Sequence, residues 1–297
     1  MSEHKFFSQI TDISKVITPI DSTIRFPEVL QVLIDKYGNA IDLFCILIKD
    51  SQSSAEILER IRSSKRPAQE RMALLKMYRR CVSPVLDTET TKKIKKIKTE
   101  TLIETYGNTF KPIAKLKKQF SNLPMEYKYA LAALVGEYDT RGQLGYQLTE
   151  SFFDWFEEHF YGRYSIEGPR GAGRDIELSE LYPDFKQSYS CDFVIKRVTD
   201  EEVLAVGFAR YDSTRGGAQS DDRTGGNANK VEKAKQFDGF TSTQLKLIFL
   251  SDGPGLMHAD TWKEACDLDG QWNGRVRVAT LKLAEKRITS QWLESYI

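Results

Sequence analysis

The chain has 297 residues, of which 40% are hydrophobic and 29% are charged. This composition excludes a disordered chain and supplies enough apolar material for one large core or two modest ones. No apolar run approaches the ~20 residues of a membrane span, and the N-terminal sequence MSEHKFFSQITD lacks the basic-then-apolar pattern of a secretory signal. We therefore expect a cytoplasmic protein that does not contact a membrane.

The cysteines and histidines form no pattern typical of a metal site or a nucleophile. The four cysteines lie far apart without a CxxC pair, which argues against a zinc site and against a disulfide framework. The three histidines are not at ligand spacing. Any metal ion is therefore expected on oxygen ligands.

Residues 1–140 carry apolar residues at three- and four-residue intervals, which predicts a mainly helical region. The helical segments are FPEVLQVLIDKYG, SAEILERIRSS, PAQERMALLKMYRRCV and MEYKYALAALVGEY. Gly38, Pro67 and Pro84 are expected to punctuate them. The apolar run at 41–48 fits a buried strand or a helix and stays unassigned. We expect this region to serve dimerisation, DNA backbone contacts or both.

A basic stretch at 92–118 is concealed by the net charge of +1. Such a run is usually a solvated helix face, and the alternative is contact with phosphate groups. Both interpretations stay open. Its lysines are Lys92, Lys93, Lys95, Lys96, Lys98, Lys111, Lys115, Lys117 and Lys118.

The second half, 141–297, has a different sequence pattern, with β-rich runs as well as helical ones. A helix, LTESFFDWFEEHF, is followed by the glycine-rich segment EGPRGAGRD and then by four β-rich runs. The four runs are SCDFVIKRV, VLAVGFARY, LKLIFLSD and RVRVATLKL. A helical pattern, NANKVEKAKQF, lies between the second and the third of them. Strands crossed by a helix predict an α/β (α+β) fold, with a mixed β-sheet flanked by helices.

One carboxylate is placed at the start of a predicted strand. Asp192 directly follows Cys191, and a tight polar turn, VTDEE, joins its strand to the next one. Hydrolysis of a phosphodiester requires divalent cations on hard oxygen ligands and an activated water. Carboxylates on neighbouring strands are a common way to build such a site.

Residues 144–284 resemble the PD-(D/E)xK nuclease superfamily, and specifically type II restriction endonucleases. That family places a glutamate on a helix before the core, an aspartate on one strand and an acid-x-Lys triplet, or an acid-x-acid or acid-x-neutral variant, on the next. Glu150 matches the helix acid, and Asp192 matches the strand aspartate, preceded by Cys191 where the family has proline.

The triplet departs from the family pattern. Period-two alternation places Gly207 and Ala209 at its outer positions, with Phe208 offering its backbone carbonyl between them. Gly207 thus stands where the family has a metal-binding acid, and Ala209 where it usually has lysine. Three explanations compete: an inactivating substitution at 207, which we favour, an acid from elsewhere such as Asp212 or Glu202, or a misaligned triplet.

The segment 210–230 concentrates side chains that hydrogen bond to base edges, among four glycines. Arginine pairs with guanine, asparagine and glutamine pair with adenine, and aspartate accepts from cytosine. A flexible polar loop is the alternative, and the stretch 227–230 is also expected to cap the following helix. The candidate DNA-binding residues are Arg210, Asp212, Ser213, Arg215, Gln219, Asp221, Asp222, Arg223, Asn227, Asn229 and Lys230.

The resemblance implies a type II restriction endonuclease that hydrolyses double-stranded DNA at a specific sequence. It implies Mg²⁺ held by Asp192, the Phe208 carbonyl and an acid at position 207 when present. A palindromic site is matched most simply by a homodimer. The alternatives are a DNA-binding protein without catalysis and a structure-specific repair or recombination nuclease on the same fold.

Overall fold

The structure is a computed structural model that describes residues 5–21, 24–137, 139, 141–171, 173–213, 219–241 and 243–296. The chain divides into two compact units. The helical unit comprises residues 22–140, and the core unit comprises residues 1–21 together with residues 141–297.

The helical unit packs around one apolar core, to which Tyr37, Phe44, Leu74 and Tyr78 contribute buried side chains. The unassigned run at 41–48 belongs to its first helix, because its buried residues recur at helical spacing. That helix passes through Gly38, so the predicted interruption there is wrong. The elements of this unit are α1 (Glu28–Asp50), α2 (Ser54–Ile61), α3 (Ala68–Cys81), α4 (Thr88–Thr91), α5 (Thr99–Tyr106), a 3-10 turn (Gly107–Thr109), α6 (Ile113–Phe120) and α7 (Met125–Gly136).

The N-terminal segment belongs to the core unit, whereas the sequence pattern predicts it in the helical region. Phe7 is fully buried in the core of the second half. Its backbone N–H donates to Asp269 Oδ2 at 3.1 Å, and the N–H of Thr18 donates to Asp252 Oδ1 at 2.8 Å. Two buried carboxylates therefore hold this segment on the core.

The core unit combines helices with mostly short strands. Its elements are 3-10 turns at Phe7–Gln9 and Ile13–Lys15, then α8 (Arg141–His159), β1 (Tyr164–Glu167), β2 (Ile176–Glu177), α9 (Leu178–Leu181), β3 (Ser190–Cys191), β4 (Phe193–Arg197), β5 (Val203–Tyr211), α10 (Gln219–Thr241), β6 (Lys246–Asp252), a 3-10 turn (Pro254–Met257), α11 (Ala259–Leu268), a 3-10 turn (Trp272–Gly274), β7 (Val276–Ala279), a 3-10 turn (Leu281–Leu283), α12 (Ala284–Arg287) and α13 (Ser290–Leu293).

The predicted mixed sheet flanked by helices is confirmed. In the described part of the core unit, five strands pair in the order β1-β4-β5-β6-β7, and β2 pairs separately with β3. The strands β1, β4 and β5 are antiparallel neighbours, whereas β5, β6 and β7 run parallel. All four predicted strands are present, although the run SCDFVIKRV is divided at Asp192 into β3 and β4. The strands β1 and β2 are additional, because runs of two to four residues carry little periodicity.

Each face of the sheet is buried under helices. On one face, Val194, Val206 and Phe208 share a core cluster with side chains of α10 and α11. On the other face, Phe193, Ile195 and Ala205 pack with the aromatic side chains of α8. Alternation along β5 consequently turns neighbouring residues towards different helices. None of the helices among the described residues is long and apolar enough to cross a membrane.

Candidate functional site

Gly207 faces the aromatic core under α8 and not an open site. It pairs with Phe193 across β4 and β5, and a Cβ at this glycine would lie 1.9 Å from Phe193 Cζ. An acidic side chain at 207 therefore does not fit. With the Phe193 ring in this position there is no room for an acidic metal ligand at 207. The explanation that Gly207 is an inactivating substitution stays a prediction, because the ring fills the space that a glycine leaves.

Asp192 lies between β3 and β4, where the chain bends. Its N–H donates to the Gly207 carbonyl at 2.9 Å, and its Oδ2 accepts from the Ala209 N–H at 2.7 Å. Ala209 thus acts on Asp192 through its backbone. Burial raises the pKa of Asp192; the Ala209 N–H opposes this shift, Asp175 adds to it and Lys230 opposes it.

The Phe208 carbonyl is not turned towards Asp192. The backbone groups of Gly207 and Ala209 point to the β4 side, where they bond to Asp192. Successive residues of a strand alternate the direction of their backbone polar groups. The backbone of Phe208 is therefore turned to β6, where Phe208 pairs with Phe249. The predicted metal role of this carbonyl is corrected accordingly.

Asp192 lines a cavity of about 300 Å³ between the β3 region and α10. The cavity brings together carboxylates, ammonium groups, hydroxyls and one amide. Its lining residues are Asp175, Ser188, Tyr189, Ser190, Asp192, Gly226, Asn229, Lys230 and Lys233. Of the residues that we predicted for the site, Asp192, Asn229 and Lys230 meet here.

Lys230 enters this cavity from α10. Its ammonium lies 3.6 Å from the centroid of the Phe208 ring, in cation-π contact. Burial lowers the pKa of Lys230, while Asp192, Cys191 and Asp175 favour its charged form. Lys230 thus brings an ammonium group from α10 into the cavity that Asp192 lines.

Asp175 is the carboxylate that sequence reasoning missed. It is the last residue of the glycine-rich segment at 168–175 and precedes β2. Glu177 holds the part of the cavity lining formed by Tyr189 and Ser190. Its carboxylate accepts from the Tyr189 N–H at 3.1 Å and from the Ser190 hydroxyl. The sequence did offer one signal for it, because Asp175 is an acidic residue at the end of the glycine-rich segment that leads to Asp192.

Glu150, the predicted helix acid, is bound to an arginine. Its carboxylate accepts from Arg170 Nη1 at 2.9 Å, and Asp154 and Glu157 on the same helix also pair with Arg170. Arg170 follows β1 and lies against the Phe153 ring. Glu150 therefore contributes to holding the glycine-rich segment on α8.

The two alternative acids have partners of their own. Glu202 forms an ion pair with Arg197 near the turn between β4 and β5. Asp212, only 6% exposed, accepts from Arg210 at 2.7 Å. Both members of this second pair were predicted to contact bases, and their mutual ion pair competes with that role.

The predicted base-reading segment is only partly a loop. Ser213 is exposed at its start, whereas α10 begins at Gln219, so the predicted helix start near 227 is wrong. Asn227 donates to Glu264 at 2.8 Å and ties α10 to α11 instead of capping a helix. Lying outside the described residues are Arg215 and the side chains of Gln219, Asp221, Asp222 and Arg223.

The donor set of the cavity fits a hard divalent cation shared with a substrate. No group of three or more histidine, cysteine or acidic residues suited to a metal occurs among the residues that the structure describes. Mg²⁺ is normally held by one or two carboxylates together with substrate phosphate oxygens and water. Asp175 and Asp192 line one cavity, and the charge of Asp175 contributes to the raised pKa of Asp192, so the two carboxylates meet that requirement.

Comparisons with protein-family models, with curated proteins and with solved structures found no match to this chain.

Proposed function

We propose that this chain is a Mg²⁺-dependent endonuclease acting on double-stranded DNA, with its reactive centre in the cavity of Asp175, Asp192 and Lys230. The observation that carries the proposal is the convergence of two carboxylates and a partly buried ammonium in one open cavity. Opposite charges arranged in this way suit a substrate that combines an anionic phosphate with a bound cation.

Asp175 and Asp192 would hold the ion, which supplies charge neutralisation and an activated water when bound. The Ala209 N–H fixes the orientation of the Asp192 carboxylate at 2.7 Å. The Lys230 ammonium, held over Phe208, compensates negative charge that develops on the phosphate oxygens. In the overall reaction a water oxygen bonds to phosphorus, the ester P–O bond breaks, and the leaving oxygen takes up a proton.

Sequence-specific cleavage by a homodimer is the finer form of the proposal. Asn229 and Lys233 line the same cavity on α10, and Lys233 Nζ donates to the Ser188 carbonyl at 3.2 Å. A DNA strand bound in the cavity would therefore contact polar groups of α10. Two copies related by two-fold symmetry would present this helix to both halves of a palindromic site.

Digestion of a sequenced plasmid tests this proposal. We expect cleavage with Mg²⁺, no cleavage with EDTA, and discrete fragments whose ends map to one sequence. Lys230→Met is expected to lower the cleavage rate strongly, whereas Lys235→Met, a control on the same helix, leaves it unchanged. Cleavage at junctions or ends without discrete bands would instead favour a structure-specific nuclease.

A non-catalytic DNA-binding protein is the second candidate. It is favoured by the fit of Gly207 to the Phe193 ring, because the position of the family's metal-binding acid has no room for one. This candidate predicts specific DNA binding that Mg²⁺ does not convert into cleavage, and equal binding by the wild type and by Asp192→Asn.

A further inference from the structure

The stretch 92–98 in the helical unit has the sequence KKIKKIK, and all of its lysine side chains are exposed. It is not a helix face: α4 ends at Thr91, α5 begins at Thr99, and the residues between form consecutive turns. The solvated helix face that is the usual explanation for such a run therefore does not apply to these seven residues, although Lys115, Lys117 and Lys118 of the same run lie on α6. We call residues 92–98 the lysine loop.

A buried arginine holds the lysine loop in shape from below. Arg62 is 4% exposed. Its guanidinium donates to the Thr91 carbonyl at 2.9 Å, the Ile97 carbonyl at 2.6 Å and Thr99 Oγ1 at 2.9 Å. The partly buried Ile97 packs against the core of the helical unit. One side chain thus joins both ends of the loop, and its acceptors in these bonds are neutral oxygens.

The charge of the loop is poorly compensated. Lys92 pairs with Glu89, while Lys93, Lys95, Lys96 and Lys98 form no ion pair within the described part of the chain. The positive charge of Arg62 lies beneath them. Like charges at such spacing repel one another, and a fixed loop cannot spread them apart. A polyanion relieves this repulsion and releases its own counterions.

We propose that the lysine loop is a second contact surface for duplex DNA, one that binds the phosphate backbone without reading sequence. The choice of DNA rests on the proposed nuclease function. Lysine acts on phosphate as a mobile point charge, and arginine, asparagine and glutamine, whose planar groups read base edges bidentately, are absent from these seven positions. The loop would hold the protein on DNA of any sequence, independently of the cavity at Asp192.

The test is a salt titration of binding to a random-sequence 30-base-pair duplex, without divalent metal and in the full-length Asp192→Asn background. These conditions separate binding from cleavage, so a failure of the proposed nuclease activity does not affect the outcome. In the test variant all the lysines of the loop become glutamine. The matched control loses the same charge through glutamine at exposed lysines of the core unit, namely Lys5, Lys15, Lys263, Lys282 and Lys286.

We expect the loop variant to bind at least about tenfold more weakly at low salt, with the slope of log K against log salt reduced by ~0.9 for each lost phosphate contact. The control is expected to keep most of the wild-type slope. Thermal unfolding checks that the variant is folded; we expect unchanged or higher stability, since repulsion is removed. Equal slopes for the loop variant and the control would overturn the proposal. Loss of binding to anionic phosphatidylserine vesicles with unchanged DNA binding would also overturn it, in favour of a membrane surface.

Discussion

Phe193 and Gly207 are direct cross-strand partners, and the Phe193 ring occupies the space that a side chain at 207 would need. The ring is fully buried and lies 5.1 Å, centroid to centroid, from Phe152 on α8. The glycine is thus part of the aromatic packing between α8 and the sheet.

Gly207→Ala is expected to destabilise the protein by about 1–3 kcal/mol, because overpacking forces the ring or the strand to move. Gly207→Glu is expected to cost more and to create no nuclease activity. In a Phe193→Ala background the cost of Gly207→Ala should largely disappear, and a double-mutant cycle by urea denaturation measures this coupling. Additive effects of the two substitutions would show that the ring does not limit position 207.

Asp192→Asn is expected to stabilise the fold at neutral pH while removing function. Burial raises the pKa of Asp192, so its charged form is disfavoured in the folded state. The stability associated with the neutral carboxyl is complete below the ordinary pKa, near 3.8, and is lost as pH rises through the raised one. The advantage of the variant should therefore be largest at pH 7 and vanish below about pH 4. Unfolding curves across this range check the prediction; a pH-independent difference contradicts it.

Asp269→Asn is expected to lower stability by about 3–5 kcal/mol, because it removes the charge of the buried carboxylate that pairs with the buried Arg287. Asp269 also accepts from the N–H groups of Phe7 and Val278, each at 3.1 Å. Limited proteolysis should then cleave the N-terminal segment faster than in the wild type. Unchanged proteolysis near residue 7 would show that Asp269 does not hold that segment.

Lys246 is expected to make the stability of the fold depend on pH in the direction opposite to Asp192. Burial lowers its pKa from the ordinary 10.5 to about 8, and its ammonium donates to the Leu293 carbonyl at 3.1 Å. The unfolded chain binds this proton more tightly, so the stability of the wild type relative to Lys246→Met should rise as pH increases from about 8 to about 10. Thermal denaturation in that range measures the difference. A constant gap between the two proteins would be inconsistent with a depressed pKa.

Sequence periodicity was sufficient for the sheet and the long helices, because strands such as β5 and helices such as α3 bury several residues at regular spacing. Sequence periodicity failed where contacts between residues distant in the sequence determine the structure. The N-terminal segment around Phe7 carries no mark of its partner Asp269, 262 positions away. Position 207 could not be interpreted without the Phe193 ring, and the fit of Lys230 to the cavity depends on how α10 lies over the sheet. Asp192 was predictable as a metal ligand from a carboxylate at a strand start, whereas Asn229 and Lys230 were predictable only as members of a polar segment.

The most direct test of the proposed reactive centre is the single-turnover rate of DNA cleavage in Mg²⁺ by the wild type and by Asp192→Asn. Glu180→Gln, which removes an exposed carboxylate on α9 that pairs with Arg174, serves as the control. If Asp192 holds the ion, its loss removes several kcal/mol of transition-state stabilisation, so we predict a rate reduction of about 100-fold or more with DNA binding retained. Cleavage by the wild type that Asp192→Asn leaves unchanged would contradict the assignment of this cavity as the reactive centre.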